Sequence, residues 1–284
     1  MYIATKIEEV RRIRAGLGEA TVGLVPTMGY LHEGHLELVR RARSETNFVS
    51  ASIFVNPTQF GPNEDLSRYP RDLERDLELL TREAVDLVFV PDDEEIYPVN
   101  FQTRIVVDKV SRPLEGARRP THFEGVTTVV AKLFNIIQPT QAYFGQKDAQ
   151  QTVVIRQMIQ DLDFNIELVI CPTVRESSGL AMSSRNKYLD GNQLQAATVL
   201  FRSLKAAEKA WNRQVRDGQA LREEMLLVLN KEPLAEVDYV SAADPEILVE
   251  WESSIPSGKG VLLSLAVFVG PTRLIDNLLL TDSP

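Results

Sequence analysis

Two histidines three residues apart, His32 and His35, lie in the segment Pro26-Thr27-Met28-Gly29-Tyr30-Leu31-His32-Glu33-Gly34-His35. The chain has three histidines in all, so this segment concentrates its imidazole chemistry. The apolar run 22–25 before it reads as a buried strand, and Leu36, Val39 and Ala42 after it follow the spacing of a helix's inner face. A glycine-bearing turn between a strand and a helix is where open α/β folds bind phosphates, because the helix start presents N–H groups and the positive end of its dipole. Ring N–H groups there would stabilise negative charge developing on phosphorus. The segment alone is also compatible with a tight turn carrying exposed histidines. A helical zinc pair would need histidines at i and i+4, and no cysteine or third histidine lies nearby in the sequence.

Three further segments carry polar groups at the ends of apolar runs. In Phe54-Val55-Asn56-Pro57-Thr58-Gln59-Phe60, the Gln59 amide both donates and accepts hydrogen bonds. By itself this segment reads as a Pro-containing turn with a solvated glutamine. In Tyr143-Phe144-Gly145-Gln146-Lys147-Asp148-Ala149-Gln150-Gln151, Gly145 permits close backbone approach and Lys147 supplies a point charge for phosphate. Asp148 suits a helix cap, a ribose hydroxyl or a Mg²⁺ shell. Gln151 follows Lys147 by about one helical turn. Met182-Ser183-Ser184-Arg185-Asn186 offers two hydroxyls and a guanidinium, a clamp for a leaving pyrophosphate or else a mobile Ser-rich linker. His122 reads equally as capping or lining a loop or as touching substrate, and the acidic run 92–95 reads as solvated. Cys171, the single cysteine, reads as an inert core thiol.

The elements that must position these groups alternate. Strands are expected over 22–26, 48–55, 86–91, 142–144 and 166–171, and helices over 34–44, 71–84, 125–138 and 149–162. Residues 103–110 read as an edge strand or hairpin arm. Repeated βαβ units imply an α/β protein with a doubly wound, Rossmann-like parallel sheet covered by helices on both faces. After Pro172 the pattern changes to a polar stretch over 175–186, two helices within 193–229, and short strands at 237–241, 261–269 and near 273–280. Residues 174–284 are therefore expected to form a smaller α+β domain behind a first domain of residues 1–173.

The formal net charge of −9 over 284 residues argues against broad nucleic-acid binding, which needs a basic face. No run approaches the ~18 apolar residues of a membrane span, and no secretory leader is read at the N-terminus. A single cysteine allows no intrachain disulfide and suits a reducing cytoplasm.

With the four segments in order, the chain resembles the pantoate–β-alanine ligases, within the wider nucleotidyltransferase superfamily that shares the His-x-Gly-His element. The outer two segments belong to that superfamily, the middle two are much more specific, and the resemblance covers essentially the whole chain. It implies ATP-dependent condensation of (R)-pantoate with β-alanine through a pantoyl adenylate, giving pantothenate, AMP and pyrophosphate. By position, it implies that Met28, Gly29, Tyr30, Leu31, His32, Glu33, Gly34 and His35 line the ATP site, together with Gly145, Gln146, Lys147, Asp148, Val174, Met182, Ser183, Ser184 and Arg185. His35, His32 and Lys147 are the catalytic candidates, with His35 as the proton donor. Gln59 and Gln151 would hold pantoate, and Gln59 would also lie near β-alanine. The resemblance further implies Mg²⁺, with no metal ligand assigned, a homodimer, and a C-terminal domain acting as a lid. Thr58 departs from the family, where methionine is expected at that place. Two other readings use the same fold: an adenylyltransferase that stops at a nucleotide-linked product, and a non-catalytic or RNA-binding relative of a tRNA synthetase.

Overall fold

In the computed structural model, residues 1–62 and 64–282 are described. Six parallel strands form one sheet in the order β1-β4-β3-β2-β5-β6. They are β1 (Tyr2–Ala4), β2 (Val22–Thr27), β3 (Phe48–Ile53), β4 (Leu87–Phe89), β5 (Gln141–Gly145) and β6 (Glu167–Cys171). The helices between them are α1 (Ile7–Ala15), α2 (Glu33–Glu45), α3 (Leu73–Arg82), the short α4 (Asp93–Ile96) and α5 (Glu115–Arg118), α6 (His122–Ile137) and α7 (Ala149–Asp161). The strand order runs one way from β2 through β3 to β4 and the other way from β2 to β5 and β6. Right-handed crossovers then place α2 and α3 on one face and α1, α6 and α7 on the other. The packing of α2 with α3 and of α1 with α6 agrees.

β2 and β3 are buried along almost their whole length, as strands covered on both faces must be. Val25, Val49, Ala51 and Val88 of the sheet pack with Leu38, Val39 and Ala42 of α2 and Leu80 of α3. The order reverses between β2 and β5, which pair through Gly23↔Gln141 and Leu24↔Ala142. In open α/β sheets ligands bind outside the strands' carboxyl ends at such a switch point, and Thr27 and Gly145 end the two strands on either side of it.

A second, antiparallel sheet holds β7 (Ala235–Ala243), β8 (Val261–Val269) and β9 (Thr272–Leu280) in that order. Three helices precede it: α8 (Gly191–Ala197), α9 (Val199–Asn212) and α10 (Gly218–Leu229). Leu200, Leu204, Trp211, Leu221, Met225 and Leu229 of these helices form one core with Val261, Leu263, Leu265 and Val267 of β8. Two compact units result, residues 1–146 with 154–172, and residues 147–153 with 173–284. The first turn of α7 thus clusters with the C-terminal unit. Among the described residues no helix is long and apolar enough to cross a membrane.

The fold differs from the sequence expectations in the following respects. Residues 103–110, expected as an edge strand or hairpin arm, carry no strand, although the run is rich in β-branched side chains; strand propensity yields a ladder only where a partner edge is aligned with it. β1 was not expected, because three residues are too short for a periodicity and the strand exists through its pairing with β4. The span expected to hold two helices holds three, since α8 is a separate helix capped by Asp190 through a reciprocal box with Gln193.

Candidate active site

Thr27 ends β2 and ties off the turn that follows. Its hydroxyl donates to the Ser52 carbonyl on β3 at 2.7 Å and accepts the Gly29 N–H at 3.1 Å. The chain then passes through two left-handed residues, Gly29 at φ 79° and Tyr30 at φ 50°. A side chain at Gly29 would be strained by that φ and would also stand 3.0 Å from Asp76 Oδ2. Asp76, on α3, is only 1% exposed and accepts the Tyr30 N–H at 2.6 Å and the Leu31 N–H at 2.7 Å. Burial raises its pKa, against the pull of those two N–H donors and of Arg75. Arg75 donates to the Leu31 carbonyl at 2.9 Å, so α3 grips both sides of the turn. The sequence reading missed Asp76. Its signal was a carboxylate between Leu73, Leu77 and Leu80, on what is otherwise the apolar face of a helix.

The pinned turn delivers His32 to the N-cap and His35 to the third position of α2. The His32 backbone N–H donates to His35 Nδ1 at 3.3 Å, and the ring centroids lie 4.0 Å apart with a tilt of 33°. A nitrogen that accepts carries no proton, so the neutral His35 ring holds its proton on Nε2. Glu33 is exposed, and its carboxylate pairs with Arg40, which also binds Glu83. What Glu33 brings to the helix start is therefore its backbone N–H, one of the amides without an intrahelical acceptor.

Gln59 is held from three sides. Asn56, 1% exposed, donates from Nδ2 to Gln59 Oε1 at 3.1 Å and to the Gly125 carbonyl at 3.1 Å. Gln59 Nε2 in turn donates to Met28 Sδ at 3.1 Å. A thioether is a weak acceptor, so a substrate oxygen can replace it at little cost. The Gln59 carbonyl accepts from His122 Nδ1 at 2.9 Å and from Arg119 at 3.3 Å. Burial and the nearby Arg119 charge push the His122 pKa down to about 4, which keeps this ring neutral. Burial alone would raise Glu64, but its hydrogen bonds and charge pairing with Arg119 outweigh that and hold it below the usual range. His122 thus holds the backbone at Gln59. Gly125 on α6 lies so close that an added Cβ would stand 2.5 Å from the Thr58 carbonyl oxygen and 2.6 Å from Gln59 N. The Thr58 hydroxyl joins Asn56 Oδ1 at 2.9 Å and Tyr97 at 3.1 Å, so its polarity is absorbed beside Gln59.

At the end of β5, a side chain on Gly145 would meet nothing within 4 Å. The protein's own packing does not demand glycine there; the open space suits a ligand. Gln146, Lys147 and Asp148 form a 3₁₀ turn leading into α7, and Lys147 Nζ lies 3.7 Å from Asp148. Gln151 is half-buried on the first turn of α7.

The stretch expected to be either a clamp or a mobile linker is a closed hairpin. Arg175 bridges Ala181, the Glu176 N–H donates to the Leu180 carbonyl at 2.8 Å, and the Met182 N–H donates to the Val174 carbonyl at 3.0 Å. Gly179 turns it at φ 90°, where a Cβ would strike Phe201 at 2.5 Å. Ser183 caps a 3₁₀ turn, Ser184–Tyr188, by accepting the Arg185 N–H. Ser184 is buried, Arg185 half-buried, and Asn186 donates to Glu176 at 3.2 Å and to the Ala181 carbonyl at 3.1 Å.

Cys171 is buried, and burial raises its thiol pKa, the property of an unreactive core thiol. No group of three or more His, Cys, Asp or Glu side chains converges as a metal site among the described residues.

A family model described as pantoate-beta-alanine ligase matches residues 2–279. The pantothenate synthetases of Herpetosiphon aurantiacus and Roseiflexus sp. (strain RS-1) are 58% and 59% identical over 280 residues, 99% of this chain in each case and 100% and 99% of theirs. Among solved structures, the pantothenate synthetase of Thermus thermophilus superposes with a TM-score of 0.91 at 46% identity, covering 98% of this chain and 99% of that one. The pantoate-beta-alanine ligase of Francisella tularensis, complexed with beta-gamma ATP and beta-alanine, superposes with a TM-score of 0.80 at 35% identity, covering 100% and 99%.

Proposed function

The chain belongs to the pantoate–β-alanine ligase family, and from that premise we propose how it joins pantoate to β-alanine. It is an enzyme of that class, with ATP as a substrate. In the first step a carboxylate oxygen of pantoate attacks the α-phosphorus of ATP; an O–P bond forms, and the bond to the leaving pyrophosphate breaks. In the second, the amine of β-alanine attacks the acyl carbon of the pantoyl adenylate, the acyl C–O bond breaks with loss of AMP, and the amine gives up its proton. No protein nucleophile is required, because the substrate carboxylate already is one. The protein must align it and neutralise charge at phosphorus.

The observation that carries this reading is the His32–His35 pair on the pinned turn, with His35 Nδ1 occupied by a backbone N–H. Its Nε2–H is thereby a donor, suited to the charge growing on the α-phosphate. His32 assists at the phosphates, and the backbone from Met28 to Gly34 lines the nucleotide. The Gln59 amide, oriented by Asn56 with Nε2 toward Met28, offers a donor to a pantoate oxygen and lies near β-alanine. Gln151 is the second pantoate amide. Gly145 to Asp148, Val174 and Met182 to Arg185 complete the ATP contacts, with Lys147 and Arg185 supplying positive charge. Mg²⁺, which favours phosphate oxygens and water, is taken as part of the MgATP substrate. Work in the cytoplasm as a homodimer belongs to the same proposal.

Exchange of radiolabelled pyrophosphate into ATP tests the order of steps. The reading expects exchange that depends on pantoate and proceeds without β-alanine. Exchange indifferent to pantoate would refute it, and exchange without pantothenate formation when β-alanine is added would favour an adenylyltransferase.

A further inference from the structure

The two ATP-side segments of the C-terminal unit, Lys147 with its turn and the hairpin before Met182–Arg185, are far apart in sequence and share no strand. Two consecutive residues of β9 join them. Successive residues of a strand point to opposite sides, so Asp276 and Asn277 can reach different segments. Asp276, 3% exposed, takes the Arg175 guanidinium on both carboxylate oxygens, at 2.6 and 2.9 Å. Asn277, 4% exposed, donates from Nδ2 to the Lys147 carbonyl at 2.8 Å. The two are themselves coupled, since the Asn277 N–H donates to Asp276 Oδ1 at 2.8 Å. Arg175 also donates to the Gly179 carbonyl at 3.2 Å, inside the hairpin turn, and its guanidinium lies 4.0 Å over the Phe201 ring.

A buried ion pair is a poor way to gain stability, because desolvation offsets much of the attraction. A bidentate pair instead sets direction and distance. Here it sets the hairpin's root against β9, while the neighbouring amide sets the Lys147 backbone against the same strand. We propose that Arg175, Asp276 and Asn277 are positioning residues that hold Lys147 and the Met182–Arg185 segment as one rigid phosphate cradle. The proposal rests on the reading of those two segments as ATP contacts. None of the three side chains need touch substrate; they act through Lys147 and the hairpin.

The test uses Asn277→Leu and the isosteric Asn277→Asp, both of which remove the Nδ2 donor. Wild-type protein and Lys147→Ala are measured beside them in pantoate-dependent pyrophosphate exchange. Each Asn277 variant is expected to lose roughly tenfold in exchange kcat/KM for ATP, the scale of one misplaced hydrogen-bonded contact. Capture of preformed enzyme-bound pantoyl adenylate by β-alanine should stay within about twofold of wild type, because the β- and γ-phosphates that the cradle holds have already left as pyrophosphate. A merely structural role would instead lower both half-reactions together, and that result, or unchanged exchange in both variants, overturns the proposal. If either variant fails to fold, the other carries the comparison, and Arg175→Lys, which keeps the charge but loses the bidentate fork, must show the same split. If neither Asn277 variant folds and Arg175→Lys slows both half-reactions equally, the proposal is also overturned. Pantoate-independent exchange by wild-type protein would strike the functional reading itself. A defect in Lys147→Ala with none in the Asn277 variants would strike only the positioning role.

Discussion

In the first unit the His32–His35 turn leaves a central strand directly, and one buried carboxylate on the next helix in that layer, Asp76, holds its backbone. In the C-terminal unit Lys147 and the Met182–Arg185 segment have no strand in common, and side chains of β9 connect them. The first arrangement follows from the parallel sheet, since strand ends at a switch point face one crevice whatever the side chains are. The second exists only through long-range polar contacts. Substitution in the first region should therefore report on chemistry and on the turn's pin, and in the second on alignment between distant segments.

The sharpest way to break that comparison is at the chemistry itself. His35→Ala and Lys147→Ala are each expected to slow single-turnover adenylate formation by at least about 10²-fold, the scale for losing one electrostatic donor. Near-wild-type rates for either would remove its region from the reacting phosphate. Gln59→Ala comes next, with roughly tenfold or more lost in kcat/KM for pantoate and a smaller change for ATP; the steady-state constants decide it, and equal losses for both substrates would contradict the amide's assignment.

Asp76→Asn addresses the pin. An amide can accept one of the two N–H groups but presents an NH₂ to the other, so about 1–3 kcal/mol of stability should go. Exchange should fall by about tenfold, as the histidine turn loosens. Urea unfolding and exchange on the same sample check both, and a turn still rigid without its carboxylate would mean that topology alone places the histidines.

The smallest effect on catalysis is expected from His122, which acts on the backbone at Gln59 and shows instead in the pH dependence of stability. Its folded pKa of about 4 lies below the unfolded value of 6.5. As pH falls through that window the unfolded chain takes up the proton first, so stability is full above pH 6.5, is lost as pH falls toward 4, and levels off below. The whole span amounts to roughly 3 kcal/mol. His122→Phe should flatten that part of the profile in denaturant melts repeated across the range, and an unchanged slope would mean that another group controls it.

Much of this was legible along the chain. The alternating apolar runs of β2, β3 and β5 and the helices after them identify an α/β sheet, and the order of the four segments identifies the family. Those signals are local: strand and helix periods, a glycine turn, a histidine spacing. What could not be read is where polar side chains far apart in sequence meet. Asp76 on the turn, Arg119 and His122 on Gln59, and Asp276 and Asn277 on Arg175 and Lys147 are all contacts across distant sequence.

Residues 103–110 show the converse, a strand-like composition that the tertiary structure left without a ladder, because a strand is a property of two chains of backbone. By itself the sequence determined which residues are candidates for the proposed adenylation chemistry and on which strand ends most of them stand. Only the tertiary structure decided which nitrogen of His35 accepts, which way the Gln59 amide faces, and what holds Lys147, because each depends on a buried partner brought in by the fold.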